Sequence, residues 1–137
     1  MSGPNMSDLM DGGETARAFR RFNVQFNALV AVDPGYEQPE GVVATRTVQA
    51  LVTDVSMSGL HLATPYEFAI GSILKVDITI GTTTYPVPVT VRRVRPVGHA
   101  GRFAFTVGAQ YVKSPYTAVF IPTLAKYLIV RGVLKAA

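Results

Sequence analysis

A chain of 137 residues is one domain by length, with enough material for a real hydrophobic core. Its apolar share is 48%, yet no apolar run approaches the ~20 residues a membrane helix needs, and with no cysteine it can form neither disulfides nor thiolate metal sites. A formal net charge of +4, carried by nine arginines against four lysines, favours anionic partners recognised by planar, bidentate donors.

Residues 1–16 are polar and glycine-containing with no sustained period, which predicts a flexible tail. They lack the basic flank and apolar stretch of a secretory signal, so the cytoplasm is the expected compartment. Arg17-Ala-Phe-Arg20-Arg21 follows, and from Phe22 the pattern changes: Phe22, Val24, Phe26, Ala28, Val30 and Val32 alternate with polar neighbours at the start, as in a strand with one wet face. Asp33-Pro-Gly and Gln38-Pro-Glu-Gly bracket a loop that is somewhat long, and a second strand is expected from Thr45 to Val55. Leu60 and Leu62 flank His61 in a short third strand. Ile73 to Ile80 reads as a fourth, and Gly81 with its threonines turns the chain into a fifth around Tyr85 to Val91, where Pro86 and Pro88 suggest an edge or a bulge. Phe103, Phe105 and Val107 open the last, which ends near Val112. Six or so antiparallel strands with short turns predict an all-β closed barrel over about 22–112, because closure hides the edges. Ser114-Pro115 then caps a helical segment, Pro122 opens a second helical stretch, and helical spacing carries on through Leu134 to about 136.

Two short patterns carry the chemistry. Arg17 and Arg21, with Arg20 between them, offer planar forks of donors that match phosphate oxygens and the O6/N7 edge of guanine. Asp54-Val-Ser56-Met-Ser-Gly59 supplies a carboxylate that can accept the N1 and N2 protons of guanine, and a hydroxyl that can donate or accept. Each pattern also has a bland reading. Arginines before a strand are often a solvated turn, and Asp, Ser and Gly are ordinary turn formers, glycine through positive φ. His61 and His99 are too few, and too far from any carboxylate cluster, to argue for a metal. Arg92, Arg93, Arg95 and Arg102 form a second basic group across a hairpin, and no nucleophile–base pair or paired carboxylates point to an enzyme.

In order and at this spacing, the two patterns resemble the PilZ family signature, RxxxR followed by [D/N]xSxxG, matched by Arg17, Arg21, Asp54, Ser56 and Gly59. The Gly108-Ala-Gln-Tyr111 segment and the C-terminal helix fit too, and the resemblance covers roughly residues 15–130. It implies a six-stranded barrel with a C-terminal helix over 17–137, following the flexible tail. It also implies binding of cyclic di-GMP, a bacterial second messenger, by Arg17, Arg20, Arg21, Asp54, Ser56 and Gly59. No cofactor beyond that ligand, no nucleic acid and no membrane insertion are expected, whereas a protein effector is. Relatives that capture a ligand dimer tend to carry an arginine just before RxxxR; Ala16 stands there, which favours one ligand per domain unless Arg20 compensates. The alternative is a nucleotide-independent adaptor of the same fold. An oligonucleotide-binding barrel would want exposed aromatics among its basic residues, and this chain has no tryptophan.

Overall fold

A computed structural model describes residues 20–97 and 101–132. Six strands, β1 (Phe22–Val32), β2 (Val48–Val55), β3 (Gly59–Thr64), β4 (Ile73–Ile80), β5 (Thr83–Pro96) and β6 (Phe105–Tyr111), precede one helix, α1 (Pro115–Val130). All pairings are antiparallel, and the order β1-β2-β3-β6-β5-β4 closes on itself through β4 and β1. Inward positions alternate along each strand, so Val30, Val52, Leu62, Leu74, Val76, Ile78, Val87, Val89, Val91 and Val107 are fully buried. Each such side chain contributes about 1.5–3 kcal/mol by leaving water.

Some boundaries differ from expectation, each for a local reason. Thr45 lies before β2 because its Oγ1 accepts the Val32 N–H at 3.0 Å, so a side chain stands where a strand partner would pair. Phe103 lies outside β6, with the Arg102 guanidinium 5.3 Å from its ring centroid. β5 runs on through Arg92, Arg93 and Arg95 to Pro96, because a bulge between Val91 and Arg93 breaks the apolar alternation without ending the ladder.

Pro86 and Pro88 sit opposite Asp77 and Lys75 of β4, while pairing with β6 begins only at Val89. The Pro88 carbonyl accepts the Val112 N–H at 2.9 Å, so the missing donors point away from β4, to the side where no strand continues among the described residues. The long loop is tied down by Gln38. Its Nε2 donates to the carbonyls of Asp33 and Ile73, both at 2.9 Å, and its Oε1 accepts the Ile73 N–H at 2.8 Å.

Ser114 caps α1, its Oγ accepting the Thr117 N–H at 3.1 Å. The helix is single: Pro122 lies inside it rather than opening a second one. Proline removes the donor to the Ala118 carbonyl, and both residues are exposed, so water can satisfy that group; Thr123 Oγ1 donates to the next carbonyl, Val119, at 3.0 Å. α1 ends at Val130, closed by Gly132 at φ 75° with its N–H on the Ile129 carbonyl, so Gly132 terminates the helix where the spacing predicted continuation. Leu134 and the last residues lie outside those described. Phe120, Leu124 and Leu128 bury the helix against the barrel, with Phe120 beside Tyr85 and Tyr111 and Phe26 edge-on to Tyr127.

Candidate functional site

Two adjacent rows of paired residues cross β1, β2, β3, β6 and β5 and define the site. Phe22, Val55, Leu60, Ala109 and Val91 face inward and are buried. The neighbouring row, Asn23, Asp54, His61, Gly108 and Arg93, is the outward one. Three register irregularities adjoin this second row: between Asn23 and Phe26, between Val52 and Asp54, and between Val91 and Arg93. The second of these sets the chemistry. Ala50 and Val52 point inward, so strict alternation would aim Asp54 into the core; one extra residue turns Asp54 out and Val55 in.

On the outer wall, Asp54 meets both motif and non-motif partners. Arg21 Nη1 donates to Asp54 Oδ1 at 2.8 Å, and His61 Nδ1 reaches the same oxygen at 2.8 Å. A carboxylate only accepts, so His61 carries its proton on Nδ1. Arg21 Nη1 and His61 Nδ1 are also in contact with each other, so the three side chains form one cluster around Asp54 Oδ1. Asp54 Oδ2 has no partner among the described residues. The Arg21 side chain is 48% exposed and that of Asp54 22%, so the pair is worth about 0.2–1 kcal/mol and opens readily.

The turn behind Asp54 is built by Ser56. Its Oγ accepts the N–H groups of Ser58 and Gly59, both at 3.2 Å, and its own N–H donates to the Gly59 carbonyl at 2.8 Å. Ser56 is buried, its hydroxyl occupied by the turn. Gly59 is required by close approach and not by positive φ, correcting the usual turn argument: a Cβ there would lie 2.1 Å from the Ala109 carbonyl oxygen on β6. Tyr111 completes the turn, its hydroxyl donating to the Ser56 carbonyl at 2.9 Å and its N–H to the Ser58 carbonyl at 3.0 Å. Burial pushes the Tyr111 phenol far above its ordinary range, with Arg21 opposing and Asp54 reinforcing, so it stays a donor throughout neutral pH.

Of the remaining sequence candidates, Arg20 is exposed with its guanidinium 5.3 Å from the Phe22 ring centroid, and Arg17 lies outside the described residues, as do the tail and His99. The second basic group is dispersed. Arg92 donates to Gln110 on β6, Arg102 reaches Gln49 on β2, and Arg93 belongs to the outward row. His61 and Tyr111 were the residues that sequence reasoning missed. Pairing outward from the Ser56–Gly59 turn sets His61 opposite Asp54, a single carboxylate and not a cluster. No three metal-binding side chains gather among the described residues. Two clefts of about 460 Å³ lie elsewhere, one beside Gln49, Asp77 and Arg102, the other beneath Val43 and Tyr66. Neither includes Arg21, Asp54 or His61; organised donors and acceptors, and not either cleft, mark the motif face.

The domain is thus a closed six-stranded barrel with a C-terminal helix packed on it, and Arg21 meets Asp54 on its wall. The PilZ domain model matches residues 15–114, and the chain belongs to that family, whose members typically bind cyclic di-GMP and are generally non-catalytic. Among solved structures it is similar to the inhibitor of motility MotI/DgrA of Bacillus subtilis, at 18% identity and TM-score 0.59, over 87% of this chain and 52% of that one. The PilZ domain with c-di-GMP of YcgR from Escherichia coli matches at 12% identity and TM-score 0.57, over 86% of this chain and 95% of that one. The PilZ domain of CeSA from a cellulose-synthesizing bacterium matches at 14% identity and TM-score 0.53, over 80% and 97%. The chain thus spans about half the length of MotI/DgrA. No curated protein matches it in sequence. No helix among the described residues is long and apolar enough to cross a membrane.

Proposed function

We propose that this PilZ domain is a receptor for cyclic di-GMP, working in the cytoplasm. One observation carries the reading: Arg21 of the first motif and Asp54 of the second, 33 residues apart, meet at 2.8 Å on one wall. The ligand is a dianion bearing two guanines. Arg21, with Arg17 and Arg20, takes phosphate oxygens and the guanine O6/N7 edge, while Asp54 takes N1–H and N2–H. Ser56 and Gly59 serve by fixing the turn that aims Asp54, since the Ser56 hydroxyl is already engaged. Arg21 parks on Asp54 without ligand, and the weakness of that exposed pair makes the exchange inexpensive. Residues 1–16 form a tail before the domain at 17–137. Ligand orders the segment leading into Arg21 over the wall at a cost of about 2–5 kcal/mol, and so presents a new surface to a protein effector. The PilZ domain of YcgR, described with c-di-GMP, gives the family precedent.

Calorimetric titration with cyclic di-GMP tests this directly. The expected result is saturable binding at one ligand per domain, weakened by about 1.5–3 kcal/mol in Arg21→Ala. Absence of binding by the intact chain rejects the receptor and leaves the nucleotide-independent adaptor.

A further inference from the structure

His61 lies outside both motifs, yet it holds the same oxygen of Asp54 as Arg21 does. We infer that His61 is a positioning residue that locks the Asp54 carboxylate for guanine, an inference that rests on the cyclic di-GMP reading above. An aspartate carboxylate turns easily about its last bond, because that torsion is broad. When Arg21 leaves for a phosphate, only His61 among the described residues still fixes Asp54, through Nδ1 on Oδ1. Oδ2 and the vacated site on Oδ1 then face outward as an acceptor pair. Guanine presents two adjacent donors, N1–H and N2–H, to such a pair. Adenine presents an acceptor at N1 beside its N6 donor, so a fixed carboxylate discriminates between them.

The fold keeps the imidazole in place by omission. His61 pairs across the ladder with Gly108, and a Cβ at 108 would lie 3.0 Å from His61 Nε2 and 3.3 Å from Cδ2. The ring therefore occupies the space that a side chain on β6 would fill. Gly108 has no positive φ, so this gap, and not backbone conformation, is what glycine provides there. The ring is partly exposed on the outer face, and the exposed Arg93 pairs with the same Gly108 from the other side.

The test titrates the full chain with cyclic di-GMP and cyclic di-AMP, alongside thermal melts. His61→Leu keeps the bulk and removes the donor; it is expected to weaken cyclic di-GMP about tenfold, leave cyclic di-AMP unchanged and leave the melting temperature unchanged. His61→Asn, whose Nδ2 replaces Nδ1, restores most of the affinity. Gly108→Ala leaves His61 present but displaced, and reproduces the His61→Leu loss. Unchanged cyclic di-GMP affinity in His61→Leu, no rescue by asparagine, or an equal loss for both dinucleotides overturns the positioning role while the receptor stands. A wild-type chain that binds no cyclic di-GMP fails at the earlier step, and takes the role of His61 with it.

Discussion

The wall formed by β1, β4 and β5 and the wall carrying Asp54 are built from the same kinds of strand, yet they differ in regularity. β4 pairs with β5 from Ile73–Thr90 through Ile80–Thr83, and with β1 from Ala28–Ile78 through Val32–Leu74, without a slip. Every register irregularity falls beside the outward row that holds Asp54 and His61. An unbroken ladder maximises burial and fixes every side chain to one face; a bulge releases one residue from that rule and re-aims it. The regular wall supports stability, and the bulged wall places a carboxylate where strict alternation would have buried it.

That division can be broken or sharpened by substitution. Ile78→Ala, in the regular wall and fully buried, should cost the most, about 2–5 kcal/mol by urea unfolding, with cyclic di-GMP affinity unchanged wherever the protein remains folded. Gly59→Ala should cost about 3 kcal/mol and abolish binding too, because its Cβ meets a backbone oxygen that only separation of β3 from β6 can relieve. If that variant melts like the wild type, close approach is not the reason for glycine at 59. Tyr111→Phe should cost about 0.5–1.5 kcal/mol through the lost bond to the Ser56 carbonyl. Its difference from wild type also depends on pH with a definite sign. The phenol is raised in the folded chain, so wild type holds its advantage below the ordinary tyrosine value of 10.0 and loses it as pH climbs beyond that. An advantage that grows above pH 10 contradicts the buried donor.

Regular elements were legible in the sequence because period two survives along them, in Ile73–Ile80 on an unbroken ladder and in Phe22–Val32 even across the irregularity between Asn23 and Phe26. Asp54, Ser56 and Gly59 were legible as a turn with a chemical edge. What escaped notice depends on pairing rather than pattern. His61 gains its meaning from a cross-strand partner, Gly108 from the imidazole beside it, and the end of β5 from a bulge that scrambles its alternation. Arg17 and Arg21 could be named from spacing, but the meeting of Arg21 with Asp54 is a product of antiparallel β1–β2 pairing, which brings the start of β1 beside the end of β2.

The two prolines of β5 have a consequence for behaviour in concentrated solution. From Thr83 to Pro88 that strand has a ladder partner on one side only, the sort of margin through which foreign chains stack into aggregates. Pro86 supplies no amide hydrogen along that margin, and Pro88 is buried with its carbonyl already taken by the Val112 N–H, so an incoming strand finds too few donors there and templated growth is refused.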